Sequence, residues 1–470
     1  MKLEGKIGLA GGVALVVGGV IGMGVYALIP NIAANAGYAS WLSISIALAI
    51  SVLGVLPVIQ ISSALPVAGG GYLWCSRMLH PLAGVLVSFW AVLGGGSSVC
   101  LVAYALAELL LPSAAPYLPG TWSPHLFAAL IIGGFYVFYL TGLRLLTSVQ
   151  ILMSVQLLIS LAIYAFAVGF TEGVEFHFEL PHTSTFTKSI ILAFNVCLGF
   201  QIIAELGEEM KDPKRNIPLS LLIGGACILV SYIAVTMTYI GIVGIDNLES
   251  YATLESPLIT SSEAILPAFW VKFIELGAIF AALTSFNAGA IALPREIFSM
   301  ARDKTLPSYF GKVSARTQSP NWAVTLFFAF VIASLFLGHY FDTAGILDDY
   351  FSGNKIDYYA LMAVCGIMLL TVFISIAVLR LPKMYPAQYK ASYFRMRPWV
   401  LKIVAWFSIL TSGGFIILVS MEAKIVGLIY LIFTAVIIGY FLYRKNYLAK
   451  QGVAIGTYHD ILSGHEESED

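Results

Sequence analysis

Charged residues are scarce in this chain of 470 amino acids. Asp, Glu, Lys and Arg make up 11% of it, whereas hydrophobic residues make up 59%. In soluble globular proteins about 25% of the residues are charged. The shortage therefore excludes an ordinary soluble enzyme and predicts a chain that is solvated mainly by lipid. The 25 basic and 26 acidic residues nearly cancel, and nucleic acids bind clustered positive charge, so no nucleic-acid partner is expected.

Cysteine and histidine motifs are also lacking. The five cysteines stand inside apolar segments without CxxC or Cys/His spacing, which argues against a disulfide framework and a zinc site. The sequence has no His-Glu-x-x-His motif and no Ser/His/Asp constellation, and its seven histidines are expected in loops or tails. We therefore predict that the chain is not an enzyme and holds no cofactor, with a bound sodium ion as the one alternative.

Long hydrophobic runs are what the chain has instead. A bilayer core of about 30 Å needs about 20 apolar residues per helix. Twelve stretches meet this requirement, which predicts an all-α polytopic membrane protein with twelve transmembrane helices. Their approximate bounds are residues 7–34, 39–65, 82–111, 124–141, 148–170, 187–207, 217–243, 267–294, 322–338, 358–380, 399–420 and 424–443.

Lysine and arginine are distributed unequally between alternate loops. With the N-terminus inside, 21 of the 25 basic residues lie on the inner side, and only Lys188, Lys272, Lys355 and Lys424 lie outside. Cytoplasmic loops retain positive charge during insertion. We therefore predict a multi-pass protein of the plasma membrane with both termini in the cytoplasm. Residues 448–470 are polar and are predicted to form a disordered cytoplasmic tail.

Two of the predicted helices are interrupted near the middle of the membrane. The first has four glycines at positions 18–24, and the sixth has Asn195, Gly199 and Gln201 in an apolar segment. Glycine weakens a helix and lets the backbone approach a ligand, although Gly-xxx-Gly spacing also serves helix packing. The two helices hold matching positions in successive sets of five. Interrupted helices at matching positions of an inverted repeat indicate the binding site of a transporter.

Four segments resemble the amino acid-polyamine-organocation transporter superfamily. They are Val17 to Pro30 in the first helix, Pro66 to Tyr72 (PVAGGGY), Glu208 to Pro218 (EEMKDPKRNIP) and Met300 to Pro307 (MARDKTLP). The likeness covers about residues 7–443. It implies the five-plus-five inverted repeat of bacterial leucine transporters, with repeats at 1–170 and 187–380 and two extra helices at 399–443.

The resemblance also implies a substrate site at the two interruptions. Backbone N–H groups freed in the first helix, next to the N-terminus of a half-helix, suit a substrate carboxylate. Carbonyl groups freed in the sixth helix suit an ammonium group, and the amides of Asn195 and Gln201 either contact the substrate or bond between helices. Phe200 is the first choice for an outer gate. The predicted binding residues are Ile21, Gly22, Met23, Gly24, Gly95, Asn195, Leu198, Gly199, Phe200, Gln201, Ser285 and Gly289.

The same residues suggest the substrate class and the coupling ion. No acidic residue occurs in the centre of the predicted pocket, which favours a neutral amino acid over a dibasic one. Glu205 either titrates during the cycle or is solvated at the helix end. Leu157 stands where proton-coupled relatives have a lysine. Ala281, Thr284 and Ser285 have a spacing that resembles a sodium site, because three oxygens at i, i+3 and i+4 face one way.

We therefore predict a secondary active transporter of a small or neutral amino acid that works by alternating access. The alternatives are an exchanger of an amino acid for an amine and an amino acid sensor with little transport. A channel is disfavoured because no helix has a charged stripe that would line a pore. The expected partners are the amino acid and the lipid bilayer, without an obligate protein partner.

Overall fold

The computed structural model describes residues 7–22, 24–114, 117, 122–140, 143–167, 178–181, 185–252, 254, 256–314, 317, 319–345, 355–453 and 455. The residues beyond 455, which make up most of the predicted tail, lie outside this part. The helices are α1 (Leu9–Val20), α2 (Gly24–Ala36), α3 (Ser40–Ala64), α4 (Gly70–Met78), α5 (Pro81–Ala114), α6 (Pro124–Tyr139), α7 (Leu143–Phe166), α8 (Phe186–Val196), α9 (Pro213–Val243), α10 (Leu248–Ala252), α11 (Pro257–Glu263), α12 (Ala268–Ala292), α13 (Pro294–Arg302), α14 (Asn321–Thr343), α15 (Lys355–Val378), α16 (Leu381–Met384), α17 (Pro386–Ala391), α18 (Pro398–Glu422) and α19 (Lys424–Ala449).

The described part of the chain is helical, and two isolated backbone bridges are its only extended pairings. Nine of its helical stretches are long and apolar enough to cross a membrane. Three further apolar helices, α1, α6 and α8, are shorter. With no water in the bilayer core, backbone groups must bond within the segment that crosses it, and helices satisfy this requirement. The protein is therefore an all-α polytopic membrane protein, as predicted.

The long helix α5 lies at the centre of the bundle. Its most apolar window is 83% buried, and it packs against α15, α12, α14 and α6. By contrast, the corresponding windows of α18 and α19 are only 28% buried. These two helices therefore lie at the periphery, where most of their surface is left for lipid.

Both predicted interruptions are present in the backbone. The first helix ends at Val20, and the chain resumes a helical course at Gly24. The predicted binding residue Met23 lies between them, outside the described residues. The second interruption follows α8, which ends at Val196. Gly199 then takes a left-handed conformation with φ of 113°, and residues Phe200–Glu205 form a 3-10 helix. The two interruptions agree with the glycine-based prediction.

One end of the bundle, here called the basic end, is built from α4, α13 and the segment Phe200–Glu205 with the turn that follows it. Backbone bridges join Ala68 to Leu206 and Ile7 to Met210. The N–H of Gly69 also donates to the carbonyl of Glu205 at 3.1 Å. The segment after the second interruption is thereby tied to the start of α4.

Candidate functional site

The two helix interruptions lie against each other. A Cβ atom on Gly199 would lie 2.6 Å from the carbonyl oxygen of Gly19, and a Cβ atom on Gly24 would lie 3.1 Å from Val196 Cγ1. Only glycine combines the left-handed φ of residue 199 with this close approach. The structure therefore brings Gly24 and Gly199, which the sequence predicts as binding residues, into one place.

A tyrosine that sequence reasoning missed joins the two broken ends. The fully buried hydroxyl of Tyr232 on α9 donates to the carbonyl of Val196 at 2.8 Å and also lies 3.4 Å from the carbonyl of Val20. Val20 and Val196 are the last residues of α1 and α8. Carbonyl groups at helix C-termini lack partners within the helix, so one phenol serves both ends.

Ser285 connects α12 to the first interruption. Its hydroxyl donates to the carbonyl of Gly18 at 2.8 Å, and a Cβ atom on Gly22 would lie 2.8 Å from the same hydroxyl oxygen. Ser285 and Gly22 were both predicted as binding residues, and the structure places them in contact. A substrate that contacts the backbone of Gly22 would therefore lie next to this hydroxyl.

Gln150 of α7 occupies the space between α1 and α12. Its Nε2 atom donates to the carbonyl oxygens of Ala14 and Thr284 at 3.2 and 3.3 Å, and Asn287 Nδ2 donates to its Oε1 atom at 2.8 Å. The nearby Ser154 hydroxyl also donates to Ala14 O. Leu157 stands where proton-coupled relatives have a lysine. It is buried about one turn beyond Ser154 on α7. The α7 side chains that hydrogen-bond to the backbone of α1 here are therefore Gln150 and Ser154.

The predicted sodium ligands, Ala281, Thr284 and Ser285, already take part in hydrogen bonds. The hydroxyl of Thr284 donates to Ala281 O at 3.0 Å, and that of Ser285 donates to Gly18 O. Sodium requires oxygen lone pairs that point inward. Here the hydroxyl groups already bond to these carbonyls, and the Gln150 amide donates into the same space. The three residues supply the right type of atom, but the Thr284 hydroxyl is bonded within α12 and the Ser285 hydroxyl is bonded to α1.

Other predicted binding residues lie elsewhere. Asn195 is exposed on α8, where its amide donates to the carbonyl of Ile191 on the same helix. Phe200 lies among apolar residues of α3 and α9. Together with Leu198 it also lines a cavity bounded by residues of α3, α15 and α18. Ile21 is fully buried, and the side chain of Gln201 lies outside the described part.

Gly95 and Gly289 serve the packing of α5 against α12. Cβ atoms at these positions would lie 2.3 and 3.8 Å from Leu293 Cδ1. The neighbouring Gly94 lies against Gly366 of α15, with 2.8 Å from its Cβ position to the Gly366 Cα atom. The glycine run of α5 thus lets three helices approach closely.

Buried ion pairs hold the basic end together. Arg77 makes two hydrogen bonds of 2.8 Å to the carboxylate of Asp303, which also accepts from the Tyr72 hydroxyl at 2.6 Å. Burial lowers the pKa of Arg77, but the hydrogen bonds and the negative charge of Asp303 raise it by more, so the net shift of the pKa is upward. This guanidinium therefore stays charged, and it joins α4 to the end of α13.

Two further arginines of α13 pair with the turn after the second interruption. Arg295, which is fully buried, bonds to Glu209 at 2.8 Å, and Arg302 bonds to Glu208 at 2.9 Å.

Glu205 is only 5% exposed. The alternative that Glu205 is merely solvated at a helix end is therefore wrong.

The expectation that every histidine lies in a loop or tail is also wrong. His125 lies in α6 and His339 in α14, and their rings lie in contact with centroids 4.1 Å apart and an interplanar angle of 36°. Both are at the ends of apolar helices, which explains why the sequence pattern assigned them to loops. Among the described residues no group of three or more His, Cys, Asp or Glu side chains could hold a metal ion.

Comparison with known proteins places this geometry in a family of membrane transport proteins. A sequence model described as amino acid permease matches residues 7–443. An uncharacterized transporter of Mycobacterium tuberculosis is 24% identical over 68% of this chain and 71% of its own length. An uncharacterized amino acid permease of Bacillus subtilis is 25% identical over 69% of this chain and 75% of its own length.

A plant relative is similar over a comparable share of this chain. The mitochondrial cationic amino acid transporter 3 of Arabidopsis thaliana is 27% identical over 69% of this chain and 56% of its own length. The family match spans most of the chain, including both interruptions and the basic end. The chain belongs to the amino acid permease family. This confirms the superfamily resemblance seen in the four sequence segments.

Proposed function

We propose that the protein is a secondary active transporter of a small or neutral zwitterionic amino acid and works by alternating access. The observation that carries this proposal is the contact between the two interrupted helices, whose ends share the Tyr232 hydroxyl. The N-terminus of α2 at Gly24 suits the carboxylate of the substrate, and carbonyl groups near Cys197, just after the end of α8, suit its ammonium group. Membership of the amino acid permease family supports the same substrate class.

The proposal includes the finer architecture. The broken α1–α2 and α8 segments count as the first and sixth of twelve transmembrane spans, in a five-plus-five inverted repeat of the leucine-transporter type with two added helices. The distribution of lysine and arginine supports a cytoplasmic location for both termini and for the basic end. The plasma membrane is the proposed location.

A neutral substrate is proposed because negative charge is absent around the interruptions. The described residues 14–22, 193–200 and 281–291 contain no Asp or Glu. A dibasic substrate would need a buried counter-charge near its side chain. The Arabidopsis relative has cationic amino acids in its name, so arginine and lysine belong in the test panel.

The test is uptake into proteoliposomes that contain the purified protein. Labelled neutral and cationic amino acids are offered while the sodium gradient, the proton gradient and the internal amino acid are varied independently. We expect uptake of at least one neutral amino acid that exceeds uptake into empty liposomes. Uptake that occurs only with internal amino acid would identify an exchanger. The proposal would be refuted if none of the amino acids were taken up under any of these conditions.

A further inference from the structure

Two buried carboxyl groups, those of Glu205 and Glu296, meet at the basic end. Glu205 ends the segment that follows the second interruption, and Glu296 lies in the first turn of α13. Their side chains are 5% and 0% exposed, and their carboxyl groups accept from the neighbouring backbone N–H groups of Gly71 and Tyr72. Sequence reasoning considered only the first of the two. Both differ from the ion-paired acids nearby, Glu208, Glu209 and Asp303, which bond to arginines.

The start of α4 holds the pair in place. The N–H of Gly71 donates to Glu205 Oε2 at 3.4 Å, and the N–H of Tyr72 donates to Glu296 Oε2 at 3.1 Å. The hydroxyl of Ser88 on α5 also donates to Glu296. These donors stabilise negative charge, but all of them are neutral groups. Within the described chain no lysine or arginine is paired with either carboxyl group.

Two carboxyl groups that lie at neighbouring N–H groups in a buried site favour a bound proton. Ionised carboxylates only accept hydrogen bonds, and two of them held close together away from water repel each other strongly. A single proton shared by the two groups relieves this repulsion.

No surrounding basic group in the described part of the chain neutralises this pair in place of the proton. From α4 the pair is faced by Cys75 and Tyr72, and Arg77 is bound to Asp303. From α13 and the turn after Glu205 come Arg295 with Glu209 and Arg302 with Glu208. The helices α1 and α3, which also contact the Phe200–Glu205 segment, carry no acidic or basic side chain. Two more helices contact this segment: α9, whose basic residues Lys214 and Arg215 are exposed, and α12, whose Lys272 and Glu275 pair with each other.

We propose that Glu205 and Glu296 form a proton-binding site whose deprotonation separates the second interrupted helix from α4 and α13 and opens the basic end. The inference rests on the proposed transport function, because opening of this end is one half of alternating access. The backbone carbonyl of Glu205 also accepts a hydrogen bond from the N–H of Gly69. Repulsion between the two carboxylates therefore acts directly on a segment that must move. The closed contact binds more protons than the open one, and it is therefore favoured at low pH and lost as pH rises.

The first test measures the proton itself. Infrared difference spectroscopy of the purified protein in lipid is followed from about pH 5.5 to about pH 8.5, the range in which a coupled buried pair is expected to titrate. We expect a protonated-carboxyl band that disappears as pH rises. The variants Glu205→Gln and Glu296→Gln should each abolish this change. Glu275→Gln is the matched control, because Glu275 lies on the surface of α12 and pairs with Lys272.

The second test measures opening of the basic end and needs no substrate. Cys75 is completely buried on α4, and its burial raises the pKa of the thiol. In a chain with the other four cysteines replaced by alanine, a water-soluble thiol reagent should modify Cys75 faster as pH rises. We expect an increase at least about tenfold beyond that of a reference thiol in solution over the same pH range. Glu205→Gln should remove this excess, whereas Glu275→Gln should keep it.

Several results would overturn the proposal. One is the absence of a titrating carboxyl band in the wild-type protein. This measurement does not depend on whether any variant folds. Another is a band that persists in both glutamine variants, and a third is Cys75 modification that follows the reference thiol. Because neither test uses an amino acid, a protein that passes both tests but moves no substrate would refute the transport function and leave the proton site standing.

Discussion

The hydroxyl of Tyr232 lies 2.8 Å from the carbonyl oxygen of Val196. Val196 is the last residue of α8, and its carbonyl would otherwise be buried without a helical partner. The tyrosine thus makes an interrupted helix tolerable inside the protein. Because the same hydroxyl reaches Val20 of the first interruption, it links two segments that alternating access would have to move.

Replacing Tyr232 with phenylalanine should weaken the junction of the two interruptions. The variant leaves the Val196 carbonyl without its donor, at an expected cost of about 1–3 kcal/mol. A lower melting temperature and slower amino acid exchange are expected. Tyr239→Phe is a matched control, because the Tyr239 hydroxyl is buried on the same helix without a hydrogen-bond partner in the described part of the chain. Equal effects of both variants would show that the bridge is unimportant.

Gly199→Ala should abolish transport. Its φ of 113° is strained for any residue with a side chain, at a cost of about 1–3 kcal/mol, and the new methyl group would lie 2.6 Å from Gly19 O. Gly133→Ala on α6 is the control, because no atom lies within 4 Å of its Cβ position. Proteoliposome uptake normalised to incorporated protein gives the comparison. Wild-type uptake by Gly199→Ala would contradict the proposed role of the interruption.

Arg77→Ala should destabilise the basic end strongly. The substitution removes two hydrogen bonds of 2.8 Å from the buried Asp303 carboxylate, and breaking such a pair costs about 3–5 kcal/mol. Thermal unfolding in detergent measures the loss. Lys272→Ala, which removes an exposed ion pair with Glu275, should leave the melting temperature unchanged. Arg77→Ala with an unchanged melting temperature would be inconsistent with this assignment.

Transport should proceed without sodium. The Gln150 amide and the Ser285 hydroxyl bridge α1 and α12 by direct hydrogen bonds, so an ion is not needed to join these helices. We expect equal uptake when sodium is replaced by a large organic cation. A sodium requirement that Ser285→Ala removes would instead support the predicted ion site at Ala281, Thr284 and Ser285.

Neutral amino acids should compete for uptake better than arginine or lysine. No carboxylate lies among the described residues around the interruptions, so a second positive charge would be buried without a partner. Inhibition of labelled neutral amino acid uptake by an unlabelled panel measures the preference. Stronger inhibition by arginine would assign this chain a specificity like the one named for its Arabidopsis relative.

The positions of the interruptions could be predicted from sequence because composition alone determines them. Glycines and amides in an apolar run weaken a helix wherever its neighbours lie. The direction of a side chain near the break could not be predicted in this way. Asn195 comes within two residues of the end of α8, yet it points outward and bonds to Ile191 of its own helix.

Long-range partners were beyond the sequence pattern. Tyr232 is 36 residues from Val196, and nothing in α9 distinguishes it from other buried tyrosines. Glu296 directly follows Arg295 in the sequence, which suggests that the two residues pair with each other. Successive residues on a helix point about 100° apart, however, so Arg295 pairs with Glu209 while Glu296 turns to Tyr72 and Glu205.

The ion pair between Arg77 and Asp303 also bears on how the chain is made. The two residues are 226 positions apart, so α4 leaves the ribosome long before the carboxylate that neutralises its arginine. During synthesis the unfinished basic end must therefore stay hydrated or be protected by another factor. Nascent chains that stop short of residue 303 should be recognised and degraded as unassembled, whereas slightly longer ones could lock this end. Asp303, which directly follows α13, is thus the residue whose synthesis first allows the basic end to close.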